Sequence, residues 1–289
     1  MADRPGQRGI PVVTGGAVIG DRGIDGMGTP RARCVLAPNP SPMTLDGTNT
    51  WILAEPGSAR AVVVDPGPGI PGHLHRVQDL LAAAGQTVAQ ILLTHSHPDH
   101  SDGAAAFAAM TGAPVRAADP AFRLGDEGLP PGATITVSGC EIAVVATPGH
   151  SADSVCLHLP ADHALLTGDT VLGRGTTVIA DDGNLTDYLA SLDRLRRLAD
   201  QAGLTALLPG HGPMLSDPGG TLDYYISHRH DRLAEVTAAL AAGDRTTEQI
   251  VARIYHDVDQ ALWPFAAFSV SAALAYLRDQ GMLPPGVSA

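Results

Sequence analysis

Cysteine is scarce in this chain, positive charge is thin, and no long apolar run opens it. The three cysteines, Cys34, Cys140 and Cys156, are odd in number and form no C-x-x-C pair. Each sits in or beside an apolar strand-like run, which speaks against a disulfide framework and for buried thiols in a reducing compartment. Lys and Arg together number 18 against 30 Asp and Glu, a net charge of -12. Affinity for a phosphate backbone comes from releasing counterions with clustered Lys and Arg, so this balance disfavours nucleic acid as a partner. The local basic cluster Arg194, Arg196 and Arg197 shares its helix with Asp193 and Asp200 and reads as a solvated face. Residues 10–20 are broken by Pro and glycines, and no run is expected to span a bilayer. The expectation is a cytoplasmic protein with a small-molecule partner and no membrane. A Ser-His-Asp arrangement is also missing, so a nucleophile must come from elsewhere.

With 289 residues, 44% hydrophobic and 17% charged, the chain can bury a sizeable core. Its organising stretch is Thr94-His95-Ser96-His97-Pro98-Asp99-His100-Ser101-Asp102-Gly103. Neutral imidazole is the commonest metal ligand, and carboxylate suits the same divalent ions. The apolar run Ile91-Leu92-Leu93 precedes it and small residues from Gly103 to Met110 follow, so it reads as strand, ligand-bearing turn, helix. His95 and His97, one residue apart on extended backbone, can face one cation, while Asp99 and His100 are free to face a second. One loop cannot complete two sites. Thr147-Pro148-Gly149-His150, Thr167-Gly168-Asp169 and Pro209-Gly210-His211 each follow an apolar run and supply further ligand-type side chains. Strand ends gathered on one rim of a sheet are where α/β proteins place their sites.

The H-x-H-x-D-H run His95, His97, Asp99, His100, followed in order by His150, Asp169 and His211, resembles the metallo-β-lactamase fold superfamily over residues 33–230. The resemblance implies that His95, His97 and His150 hold one metal, that Asp99, His100 and His211 hold the other, and that Asp169 bridges them. Three protein ligands and a shared water leave each ion open, as in catalytic zinc. Two ions about 3.5–4 Å apart acidify a bridging water, with Asp99 as ligand and proton acceptor; Asp99 and Asp169 are the catalytic candidates. The N/O donors and the family's habit point to two Zn2+, and iron or manganese fit the same donors. Asp169 stands where some lactamases of the superfamily use Cys.

The order of elements, strands then helix then strands then helix in two halves, supports an α/β (α+β) fold, a four-layer αββα sandwich. Residues 1–30, rich in Gly, Arg and Pro, read as a loose arm with one short strand at Pro11–Thr14. Residues 31–220 form the catalytic domain. Gly47-Thr48-Asn49 carries hairpin chemistry between its first strands. Asp65 closes a buried strand, either as a turn residue or as a hydrogen-bond acceptor for the metal loop. Ile70, Leu74, Val77, Leu81 and Ala84 mark a helix before Gly85, with His73 and His75 read as surface residues. A second stripe is Leu185, Leu189, Leu192, Leu195 and Leu198. Residues 221–243 read as a connecting helix with Leu222, Ile226, Arg229, Leu233, Val236 and Leu240 on one face. Arg229 is thus inward, either paired with a buried carboxylate or reaching the cleft with His228 to bind substrate. His228-Arg229 is similar to one branch of the superfamily, which includes β-lactamase-like endoribonucleases. Residues 244–289, opened by a capping box at Thr246 and Gln249, look like that branch's winged-helix appendage.

The resemblance carries several substrate classes on one scaffold. For the dinuclear zinc hydrolase that the resemblance implies, acidic charge leans against long nucleic acids, and a small ester, thioester or related acyl compound is the favoured substrate. The alternative is a metal-dependent endoribonuclease or phosphodiesterase acting on single strands; an iron-dependent sulfur dioxygenase is a third reading. The oligomeric state has no signature in the sequence.

Overall fold

Trp51, Leu53, Val62, Val64 and Leu92 alternate with Ile52, Ala61, Val63 and Ile91 along three strands, so each strand offers apolar side chains to both faces. A sheet of that kind must be covered twice. The structure, a computed structural model describing residues 23–287 apart from 126 and 181, shows how. The first sheet runs β1 (Ala32–Leu36), β2 (Asn49–Leu53), β3 (Arg60–Val64), β4 (Thr87–Leu92) and β5 (Val115–Arg116) in that order. Its first pairings are antiparallel, and β3/β4 and β4/β5 are parallel. Helix α1 (Pro71–Ala83) makes the β3–β4 crossover; α2 (Pro98–Ser101) and α3 (Ala104–Thr111) lie between β4 and β5. The second sheet, β6 (Thr134–Val137), β7 (Cys140–Ala146), β8 (Val155–Leu159), β9 (Ala164–Gly168) and β10 (Ala206–Pro209), is antiparallel up to a final parallel β9/β10 pair. That pair is joined by α4 (Leu185–Ala202).

Three apolar clusters separate four layers. Leu74, Val77, Leu81 and Phe107 cover the outer face of the first sheet. Trp51, Val64, Ile142, Leu157, Leu166 and Leu208 fill the space between the sheets. Leu192, Leu195, Tyr188 and Tyr225 cover the outer face of the second. This is the αββα sandwich. Burying a Leu-sized side chain contributes roughly 1.5–3 kcal/mol, so the inward leucines of α4 outweigh the marginal stability of an isolated helix of that length. Its ends are set locally: Asn184 caps the first turn by accepting from the Asp187 amide, and Gly203 takes the left-handed conformation at the other end.

Helix α5 (Pro218–Ala241) is longer than the predicted 221–243 element at its start, and Tyr225 takes the fully buried place expected for Ile226. Beyond it lie α6 (Thr247–Ile254), whose Thr246/Gln249 capping box is present, and α7 (Trp263–Asp279). Ala266, Val270, Ala273, Leu274 and Leu277 of α7 join the same cluster as α4 and α5. No strand follows β10 among the described residues. Residues 260–279 are, by length and composition, long and apolar enough to cross a membrane, contrary to the expectation that no run would be.

The expected loose arm falls largely outside the described residues, as does its strand at Pro11–Thr14. Its end is held: Met27 is buried and its carbonyl accepts a hydrogen bond from the Cys34 amide of β1. His73 departs from its expected surface position. It is buried against Thr50, with Nε2 2.8 Å from the threonine hydroxyl. All three cysteines are free and buried.

Candidate metal centre

Each candidate ligand stands just past a strand end: His95, His97, Asp99 and His100 after β4, His150 after β7, Asp169 after β9 and His211 after β10. The sheets carry these turns to a common rim. Donor atoms of His95, His97 and His150 lie within 4.8 Å of one another, and so do those of Asp99, His100 and His211. Asp169 groups with His95 and His100 and also reaches across both sets. Its Oδ2 is 3.3 Å from His211 Nε2 and 3.8 Å from His150 Nε2, and its Oδ1 is 3.4 Å from His100 Nε2. Asp99 Oδ2 is 3.1 Å from His211 Nε2.

The outward nitrogens of the imidazoles fix where their protons sit. His150 Nδ1 faces the Val178 carbonyl at 2.8 Å and His211 Nδ1 the Gly47 carbonyl at 3.1 Å. His100 Nδ1 faces Asp65 Oδ2 at 2.9 Å, and His97 Nε2 faces Asp182 Oδ2 at 3.0 Å. These oxygens only accept, so each outward nitrogen carries the hydrogen. Thr94 donates its hydroxyl to Asp65 Oδ2 at 2.7 Å and so accepts from His95 Nδ1 at 3.0 Å. With one hydrogen to a ring, as a metal-bound imidazole requires, all five are left with a lone pair facing inward. His97 Nδ1 and His150 Nε2 then meet at 3.0 Å, and His100 Nε2 and His211 Nε2 at 3.2 Å. His95 Nε2 and Asp169 Oδ1 are buried with no hydrogen-bond partner. Lone pairs facing lone pairs, with carboxylates beside them, call for cations between them. The donor set fits two divalent ions, and such outward partners are what orient metal-bound imidazoles.

Asp65 proves to be an acceptor for the metal loop, not merely a turn residue. Fully buried at φ 50°, it takes hydrogen bonds from the Thr94 amide, the Thr94 hydroxyl and His100. Glycines make room around the ligands. A side chain at Gly210 would meet Asp169 Oδ1 at 2.5 Å and His100 Cε1 at 2.7 Å. Gly149, at φ 137°, lies so close to Tyr188 that a Cβ there would meet its amide nitrogen at 2.4 Å.

Burial by itself would lower His100 and His211. The Asp169 carboxylate outweighs it, raising His211 to about 9 and His100 well above its ordinary value. Burial, then the neighbouring imidazoles, hold His95 well below the usual range. In metal-free protein a proton therefore occupies the His100–His211 gap at neutral pH. The stability it contributes is complete below the ordinary value of 6.5 and is lost as pH rises through about 9. Zn2+ uptake near neutral pH should displace it. Calorimetry in buffers of different ionisation enthalpy should report release of about one proton or more per chain. A binding enthalpy independent of buffer would contradict this.

A cavity of about 150 Å³ opens on His150 and Asp169, lined further by Pro42, Met43, Leu45 and the 172–178 segment. The expected hairpin is present, β1 and β2 being antiparallel neighbours, but its connection over residues 37–48 is a long loop that forms one lip of this cavity. Asp46 on that loop pairs with Arg174 of the opposite lip at 2.5 Å. A larger cavity, about 330 Å³, lies between residues 179–186 and α7, and no candidate ligand lines it. The lip residues and Asp182 were not among the residues the sequence singled out. The run Pro38-Asn39-Pro40-Ser41-Pro42 was the available signal for the loop.

His228 and Arg229, expected to contact substrate, do not line the metal cavity. His228 stacks on Tyr224 with ring centroids 5.9 Å apart. Arg229 is inward, as the stripe required, but among the described residues no carboxylate lies within ion-pair reach of it. Its guanidinium donates to the Thr177 carbonyl and lies 4.9 Å from the centre of the Tyr188 ring.

The family model of the metallo-beta-lactamase superfamily matches residues 43–211. The chain belongs to the metallo-β-lactamase superfamily. A second model, the beta-lactamase associated winged helix domain, matches residues 246–282 of this superfamily member. The beta-lactamase-like protein 2 homolog of Drosophila melanogaster is 30% identical over 276 residues, covering 88% of this chain and 90% of that protein. The homolog of the same name in Caenorhabditis elegans is 32% identical over 264 residues, covering 86% and 84%. The crystal structure of a metallo-beta-lactamase family protein from Thermus thermophilus superposes with a TM-score of 0.72 at 24% identity, covering 87% and 94% of the two chains, which shows the shared fold. Fold and ligand cluster together make this a metal-dependent hydrolase.

Proposed function

We propose that the protein is a dinuclear zinc hydrolase of a small ester, thioester or related acyl compound, working in the cytoplasm. The observation that carries the reading is the ring of inward lone pairs from five imidazoles beside two carboxylates, bordering a small cavity whose lining is largely apolar. Two divalent ions held there would acidify water and offset negative charge developing on a carbonyl oxygen. The chain's own contribution is positional and protic. Asp65, Gly47, Val178, Asp182 and Thr94 hold the imidazoles in one tautomer and orientation. Asp99, kept ionised because its hydrogen bond to His211 and the charge of His100 outweigh burial, is available to take a proton. Pro42, Met43, Leu45 and Leu172 line the approach to the centre with apolar surface.

Support for an acyl substrate over a polynucleotide comes from where the cations are spent. Arg174 is the cation lining the cavity, and Asp46 already holds it. On the appended helices Arg253 pairs with Asp244, Arg278 bonds Asp279, and Arg245 donates to the Leu240 and Asp244 carbonyls. A single strand would find little free positive charge to track. Elemental analysis joined to a substrate panel tests the reading. Turnover of S-acyl and simple ester substrates by the zinc-loaded enzyme is expected. Turnover confined to bis-p-nitrophenyl phosphate and short RNA would replace it with the phosphodiesterase reading, and oxygen uptake with a persulfide by iron-loaded enzyme would replace it with a dioxygenase.

A further inference from the structure

Arg229 is a buried cation in an apolar helix stripe, and its placement needs a reason. A guanidinium taken out of water is costly unless its contacts offset the lost hydration. Here Nε finds no acceptor, so part of that cost stands. What the side chain does touch is specific: the Thr177 carbonyl and the face of Tyr188. Thr177 is itself buried and returns its hydroxyl to the backbone carbonyl of Asp169. The next residue, Val178, supplies the carbonyl that orients His150. Tyr188 donates its hydroxyl to the carbonyl of Thr170 at 2.7 Å. Tyr225, one helical turn before Arg229, receives a hydrogen bond from the Leu172 amide at 2.9 Å and donates to the Gly175 carbonyl at 3.1 Å. One face of α4 and α5 therefore grips the segment from Thr170 to Thr177 at several points. That segment begins beside one ligand, Asp169, and ends beside the carbonyl that fixes another, His150.

We propose that Arg229 is a positioning residue for the metal centre: through Thr177 it sets the segment that presents Asp169 and orients His150, and so selectively tunes the ion held by His95, His97 and His150. The proposal rests on the two-ion reading of the site but not on the substrate. Arg229 touches no ligand side chain, and its effect passes through backbone carbonyls. The asymmetry follows from the connections. His150 belongs to one ligand trio and Asp169 is shared, whereas His100 and His211 are oriented by Asp65 and Gly47, which Arg229 does not reach.

The test is a Zn2+ titration of the full chain against a chromophoric chelator, comparing the unmodified protein with Arg229→Met, Arg229→Lys and Arg232→Met. Arg232 lies on the same helix and over an aromatic ring, that of Tyr255, but contacts the appended helices instead. Loss of a group that hydrogen-bonds a ligand typically weakens metal affinity by about 10- to 100-fold, and Arg229, one contact further out, should act at the lower end of that range. Arg229→Met should weaken one of the two ions by that factor and leave the other within a few-fold. Imidazole 1H–15N signals should identify the weakened ion as the one at His95, His97 and His150. Arg229→Lys, which retains one donor and the charge, should recover part of the loss, and Arg232→Met should bind like the unmodified chain. Equal weakening of both ions, or a fall in thermal stability with both affinities unchanged, would reduce Arg229 to a packing residue and overturn the proposal. Should Arg229→Met fail to fold, the residual loss in Arg229→Lys must itself fall on the ion at His95, His97 and His150 alone. An unmodified chain that takes up fewer than two ions would instead strike at the two-ion reading itself.

Discussion

Asp169→Ala is expected to lower kcat/KM by about 10³-fold or more and to leave the protein unable to hold two zinc ions at once. The geometry makes this carboxylate the one group common to both ligand sets: its oxygens stand 3.3 Å from His211, 3.4 Å from His100 and 3.8 Å from His150. It is also ionised throughout the working range, since the charges of His211 and His100 overcome the effect of burial and hold its pKa well below the ordinary value. Removing it leaves two nests of lone pairs with no negative charge between them. A second readout needs no metal. Burial would lower His211 and Asp169 is the chief group that outweighs it to raise the imidazole to about 9, so in metal-free Asp169→Ala its pKa should fall. The variant should therefore forgo the stability that the unmodified metal-free chain gains from this proton below about 9, and a chemical-denaturation series across pH would show it. Two bound ions with undiminished turnover would remove Asp169 from the centre.

The ligands were legible because the chemistry and the fold share one local pattern. An apolar run, a turn built on Gly or Pro, and a His or Asp just beyond it mark a strand end, and strand ends converge. His150, Asp169 and His211 could be read that way although they come from separate turns. The layers were legible for a similar reason: Leu192 and Leu195, or Val77 and Leu81, keep helical spacing that only a sheet face can bury. What escaped depends on contacts between distant segments. Asp46 meets Arg174 across 128 residues, and Arg229 meets Thr177 across 52. No periodicity encodes such pairs. The phase of α5 was also ambiguous: Tyr225 and Ile226 stand three and four residues after Leu222, both spacings fit one face, and the fold buries Tyr225 fully and Ile226 only in part. His73 illustrates the same limit: one face of α1 is buried, and only the fold shows that Thr50 waits there for its imidazole.

Asp99→Asn is expected to separate holding the metal from using it. Asparagine keeps the size of the side chain and an oxygen donor, so zinc content should stay close to that of the unmodified enzyme. It loses the charge and the ability to accept a proton, and general-base assistance of this kind contributes about 10²–10⁴-fold. The drop should appear in kcat, with KM changed far less, because a group needed mainly as the barrier is crossed contributes little to ground-state binding. Its neighbours sharpen the expectation. His211 Nε2 at 3.1 Å and His100 Nε2 at 3.5 Å place the carboxylate against one ligand trio, while 29% of its side chain remains exposed, so it can reach both a ligand and incoming solvent. Because His211 and His100 hold its pKa below the ordinary value, Asp99 is already ionised at any pH where the enzyme works. An acid limb in the pH profile of the unmodified enzyme must then come from protonation of the imidazole ligands, and the same limb should persist in Asp99→Asn at lower amplitude. Full activity with full zinc content would show that Asp99 serves as a ligand alone, and that the proton goes elsewhere.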